Sequence, residues 1–138
     1  MRTTLAVLAG FFATALLSVA VDHLFHMTNV YPPYGRPMFD TGLVLLALSY
    51  RSVFEVGGMY LTATIAKGRA KKAVWIGAIV GAAVWIFGGI MMREYGPLWY
   101  SIAGAITSIP LALLGLRAYE RRVLRAAENH SKDSERSR

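Results

Sequence analysis

Two charged side chains sit in the middle of one apolar run. The run extends from Thr41 to Ala66, TGLVLLALSYRSVFEVGGMYLTATIA, and the charges are Arg51 and Glu55. About 20 apolar residues cross a hydrocarbon layer of about 30 Å. At about 1.5 Å per residue this run reaches roughly 39 Å, long enough to span with tilt. Both charges then fall near the bilayer midplane, where each bare charge costs at least about 2.5–3.5 kcal/mol. Their i, i+4 spacing puts them on one helix face, within reach of each other. Leu48, Gly58 and Thr62 share that face, so it is expected to look inward while the Leu/Val face meets lipid.

Three further runs are apolar enough to behave in the same way. The first covers residues 5–26, LAVLAGFFATALLSVAVDHLFH, after a single charge at Arg2. Two readings are open. Ser18-Val19-Ala20 resembles the small-residue cleavage site of a signal peptide. A retained span is favoured by Thr14, Ser18, Asp22 and His26, which recur every four residues and form a stripe on one face. The connection 27–40 contains three prolines and one glycine, which forbid helix and strand. Tyr31, Pro32, Pro33 and Tyr34 are read as a stiff outer cap, with the two tyrosines at headgroup level. It is either a plain rigid turn or a lid that gates a ligand.

Residues 67–72, KGRAKK, carry four positive charges and mark a cytoplasmic loop. The third span, about 73–92, holds Gly77, Gly81 and Gly88, small residues that let helices approach where no hydrophobic drive exists between them. The fourth span, about 98–116, begins with Trp99 and Tyr100 at the outer interface. It contains Pro110, whose freed backbone group Thr107 or Ser108 is expected to satisfy. Beyond it, Arg117, Arg121, Arg122 and Arg125 are placed against anionic headgroups, and residues 131–138 are expected to be disordered.

The net charge of +7 would suggest nucleic acid in a soluble protein. Its distribution gives a different reading. Twelve of the 15 Lys/Arg residues fall in Arg2, the 67–72 loop and the tail; only Arg36 and Arg93 lie on the other side, and Arg51 lies within. The bilayer, not nucleic acid, is the expected partner. The expected fold is an all-α, integral membrane four-helix bundle with both termini cytoplasmic. It occupies residues 1–118 as a multi-pass inner-membrane domain, and 119–138 form a basic tail. Cleavage of the first run would leave three spans.

The segments VDHLFHMTNVYPPYGRPM, SYRSVFEVGGMYLTATIA and GPLWYSIAGAITSIPLALLG resemble a group of uncharacterised small four-span bacterial inner-membrane proteins. The likeness covers most of residues 21–116. Met59 interrupts the group's GGY pattern, AKGR replaces its Ala-Pro turn, and Glu55 lies outside the shared residues. The resemblance implies the four-span fold and the compartment; it carries no activity.

If the outer ends of the first two spans align, Asp22 lies roughly 6 Å and Arg51 about 15 Å below them. Helical side chains lean toward their own N-terminus. A chain Glu55–Arg51–Asp22–His26 is therefore expected to run from midplane to outer surface. With His26 neutral it carries one excess negative charge, so a carboxyl that holds a proton or a cationic His26 is expected. It reads either as an ion-pair ladder that fixes helix register or as a proton relay or ion-coupled substrate site. The functional expectation is a small transporter-like or proton/ion-coupled bundle. The alternative is a non-catalytic membrane subunit or scaffold that packs its glycine face on a second copy or a partner subunit. Asp22 and His26 offer only two metal ligands, with Glu94 the one obvious third, and zinc takes three or four. The sequence has no Cys, no Gly-x-Ser-x-Gly and no HExxH, so neither a cofactor nor an enzyme is the expected reading.

Overall fold

A computed structural model describes residues 1–136. All regular structure among them is helical: α1 (Arg2–Met27), α2 (Thr41–Ala66), a single 3-10 turn (Lys67–Arg69), α3 (Ala70–Met91) and α4 (Leu98–Arg136). Three stretches are long and apolar enough to cross a membrane: Arg2–Met27, Thr41–Met91 and Leu98–Arg136. The middle one is a hairpin. A Cβ built on Gly77 would stand 3.0 Å from the Met59 sulfur, and one on Gly81 would stand 3.5 Å from a Glu55 oxygen, so α3 runs back along α2. Two of the helices start earlier than the apolar runs, at Arg2 and at Ala70. α4 does not stop at 116: it is helical as far as Arg136, through residues 131–136 where disorder is expected from composition. Ser137 and Arg138 lie outside the described residues.

Local chemistry sets the ends. The α1 amides run out at Thr28, whose hydroxyl turns back to the Leu24 carbonyl at 2.9 Å. Asn29 then takes φ 56°, which Asn tolerates better than most residues. Val30 and Tyr31 amides both donate to the Phe25 carbonyl, and the prolines prevent any further turn. Asp40 restarts the chain as an N-cap, accepting from the Leu43 amide at 2.9 Å. The Met38 amide donates to the Tyr95 carbonyl at 2.7 Å, which ties the 28–40 connection to the α3–α4 turn. Together these form one end of the molecule, the cap end. The Lys67–Arg69 turn lies at the other, basic end.

Lys67 bends the α2–α3 hairpin with φ 50° and ψ −116°, a conformation suited to glycine. Lys67→Gly is expected to raise the unfolding free energy by about 1 kcal/mol, read as a later thermal transition in detergent; an earlier transition contradicts it.

Small residues control the packing. The central cluster is Met59, Ala63, Ala70, Val74, Ala78, Ala112 and Leu116, from α2, α3 and α4. α1 joins through Gly10, where an added Cβ would meet the Gly58 carbonyl oxygen at 2.4 Å. The Thr14 hydroxyl bridges the same two helices, donating to the Gly10 and Phe54 carbonyls. The α3–α4 contact uses Gly104 under Trp85 and Gly89 against Ser101. Of the three glycines expected to pack helices, Gly88 has no atom within 4 Å of where a Cβ would stand. The close contact belongs to its neighbour Gly89. Large apolar side chains such as Phe12, Leu16, Val53, Phe87 and Ile106 are exposed around the perimeter, as lipid-facing residues would be.

α4 stays helical through Pro110. Thr107 donates to the Ala103 and Gly104 carbonyls and Ser108 donates elsewhere. Neither meets the Ile106 carbonyl that Pro110 deprives of its amide.

Candidate functional site

α1 and α3 touch at the basic end, through Ala6 and Ala73 with Ala66 between them. Toward the cap end they diverge and leave a cleft of about 570 Å³. Its α1 wall includes the four-residue stripe Thr14, Ser18, Asp22 and His26, with Val7, Phe11 and Ala15 beside it; its α3 wall includes Gly77, Gly81 and Gly88. Glycine on α3 thus makes width, and only part of that face makes helix contact. α2 forms the floor and places Arg51 and Glu55 in it.

Arg51 and Asp22 form an ion pair across α2 and α1, through Nη2 and Oδ2. Arg51 Nη1 donates to the Tyr100 hydroxyl of α4 at 2.8 Å, and the guanidinium lies 5.9 Å from the centre of that ring. Nε of Arg51 is buried without a partner. Asp22 also accepts from the Tyr50 hydroxyl, and Tyr50 lies 3.2 Å from the Tyr31 hydroxyl. One cation is therefore held by an acid and a tyrosine, and the acid is held in turn by a second tyrosine.

Glu55 does not join this group. It is 7% exposed, and its Oε1 accepts from the Ser108 hydroxyl of α4. It makes no ion pair among the described residues. The lean toward the N-terminus brings Arg51 to Asp22, as spacing requires. For Glu55 the same lean is overruled: Ser108 offers a donor directly across the gap that Gly81 leaves open. His26 is separated at the other end. Its Nδ1 donates to the Pro32 carbonyl at 2.7 Å, and its ring stacks on Tyr34 at 4.0 Å. The expected four-residue chain is thus three pieces, with Arg51–Asp22 in the middle.

The cap residues divide as well. Tyr31, expected at headgroup level, is turned inward and 4% exposed, packed edge-on against Phe25 at 5.2 Å. Burial pushes its hydroxyl above the ordinary tyrosine range, so it stays neutral beside Tyr50. Tyr34 is exposed; its hydroxyl meets His23 Nδ1 at 2.8 Å while its ring covers His26. Pro32 lines the cleft mouth and Pro33 faces outward. At the basic end Arg117, Arg121, Arg122 and Arg125 are all exposed, and Arg122 reaches the Tyr60 hydroxyl at 2.6 Å.

Tyr50, Tyr100, Ser108 and Trp85 are the residues that sequence reasoning did not place in the site. A signal existed for α4: Ser101, Gly104 and Ser108 recur at three- and four-residue steps, which marks one small, polar face. No family model, curated protein or solved structure matches the chain.

Proposed function

We propose that this is a multi-pass inner-membrane protein that takes a small solute into the α1–α3 cleft and moves it in exchange with a proton or ion. In this reading α1, α2, α3 and the first part of α4 are four spans. The basic end, with both termini, faces the cytoplasm, and the cap end faces out. The charge distribution supports that orientation: twelve of 15 Lys/Arg residues belong to the basic end and tail. The exposed arginines of α4 then lie at the headgroups of the inner leaflet.

The observation that carries the proposal is the cleft itself. A ladder that only fixed helix register would be closed by its neighbours. Here about 570 Å³ opens onto Asp22, Arg51 and Glu55, a size within the range of small-molecule sites, about 300–1,000 Å³. Ala6, Ala66 and Ala73 pack together at the basic end, so in this reading the solute enters from the cap side, as one state of an alternating-access cycle requires.

Gly88→Leu supplies the test. The substitution adds bulk to the cleft wall at a position where no neighbouring element lies within 4 Å of an added Cβ. In liposomes the wild type is expected to pass protons or a small solute faster than empty vesicles, and Gly88→Leu is expected to cut that rate by about tenfold. Wild-type flux equal to that of empty vesicles, across protons, common cations and small metabolites, overturns the proposal.

A further inference from the structure

The charges in the cleft do not cancel. Asp22 is matched by Arg51. Glu55, one turn deeper, has a serine and no cation. The other ionisable groups on the cleft can be placed element by element. α1 presents Asp22 and His26, α2 presents Arg51, and α4 presents Tyr100. α3 presents none. The connections contribute Tyr31, Tyr34, Arg36 and Tyr95 at the mouth. His26 is held by Pro32 and Tyr34. Arg36 is solvent-exposed, where its charge is screened within about 8 Å. At the depth of Glu55, one carboxyl therefore faces an apolar cavity without a counter-charge. A low-dielectric site tolerates that group in two ways only: with its own proton, or with a cation drawn in beside it.

The walls decide which cation. An inorganic ion needs several oxygen ligands. Glu55 and Ser108 are the oxygens joined here, and no three His, Cys, Asp or Glu side chains gather among the described residues. The side chains that line the cleft with Glu55 are largely apolar or aromatic, among them Met59, Phe11, Val80, Val84 and Trp85. Trp85 follows Gly81 by one helical turn, so it stands about 6 Å toward the mouth from the level of Glu55. Its ring meets Tyr100 edge-on at 5.0 Å. Aromatic faces attract cations, Trp most strongly, and Tyr100 already sits beside a guanidinium. The same surfaces offer an anion nothing, because the one deep cation is already neutralised.

We propose that the cleft binds an apolar organic cation, and that this cation and a proton compete for the Glu55 carboxyl. The inference rests on the solute-moving reading above and names its substrate class. As the cation enters, the carboxyl O–H bond breaks, the proton leaves through the mouth to outer water, and one positive charge replaces another; no electron moves.

Tetraphenylphosphonium and tetraphenylborate have the same shape and opposite charge. Added to the purified full chain in weakly buffered detergent solution, the phosphonium is expected to release roughly one proton per chain, and the borate none. Glu55→Gln keeps the acceptor for Ser108 and is expected to release no proton and bind the phosphonium about tenfold or more weakly. Glu55→Asp should retain proton release, as a second variant that preserves the charge. Wild-type protein that fails to bind the phosphonium, binds it without proton release, or binds the borate equally well overturns the cation assignment. The two proposals fail separately. Solute flux through the wild type without phosphonium-linked proton release removes the cation and leaves the solute reading. Absence of all flux removes the solute reading even where the phosphonium binds.

Discussion

Arg51→Met is expected to lower the unfolding free energy by about 3 kcal/mol. The substitution keeps an unbranched apolar stem and removes the charge, so the loss is not one of volume. What remains is the Asp22 carboxylate with one neutral donor, Tyr50, between two helices. Removing one member of a buried pair costs about 3–5 kcal/mol. The two side chains are 30% and 24% exposed here, which places the cost at the lower end. Asp22→Asn should cost a similar amount, since it leaves the guanidinium without a counter-charge, facing only neutral acceptors, the asparagine oxygen and Tyr100. The double variant is the decisive measurement. With both charges gone no ion is left without its partner, so the combined loss should be smaller than the sum by about 2 kcal/mol. Unfolding in bicelles followed by circular dichroism gives all the energies; strict additivity would show that the pair does not hold α1 to α2. Arg51→Lys adds a second reading. Lysine keeps the charge without the fork that reaches Asp22 and Tyr100 together, so its loss should lie between wild type and Arg51→Met.

The pairing of Arg51 with Asp22 was legible in the sequence because it depends on period and direction, which a single chain contains. The stripe Thr14, Ser18, Asp22, His26 predicts one α1 face, and that face does line the cleft. The partner of Glu55 was not legible. Periodicity assigns a residue to a face but does not say which helix lies opposite, and Ser108 is 53 positions away. Tyr31 shows a different limit. A ring with a hydroxyl tip suits the headgroup layer and a hydrogen-bonded interior equally well, and only the position of Tyr50 decides between them. The glycines show a third. Gly77 and Gly81 form a motif within one helix, whereas the tight α1–α2 approach uses Gly10 and Gly58, one on each helix. A pair split between helices has no spacing to recognise.

That split pair gives a sharp contrast between two adjacent residues. A Cβ at Gly58 would stand 2.0 Å from the Thr14 hydroxyl and 2.7 Å from the Gly10 carbonyl oxygen; at Gly57 it would meet nothing within 4 Å. Both positions belong to the interior of α2, so alanine gains the same helix propensity at each, up to about 1 kcal/mol. Only the contact differs. At Gly58 the obstacle includes backbone of a rigid helix, which no rotamer change can remove. α1 must move outward, which lengthens the Thr14 bond to Phe54 and loosens the Asp22–Arg51 pair one and two turns toward the cap. Gly58→Ala is therefore expected to lose about 2–3 kcal/mol, the upper part of the usual overpacking range, and Gly58→Leu more. Gly57→Ala should be neutral or stabilising. Thermal unfolding of the two variants in the same detergent tests the contrast. Equal transitions would mean that α1 is not seated on α2 at this point; a deficit confined to Gly58 would place the seat of α1 at the glycine crossing, with the ion pair above it dependent on that crossing.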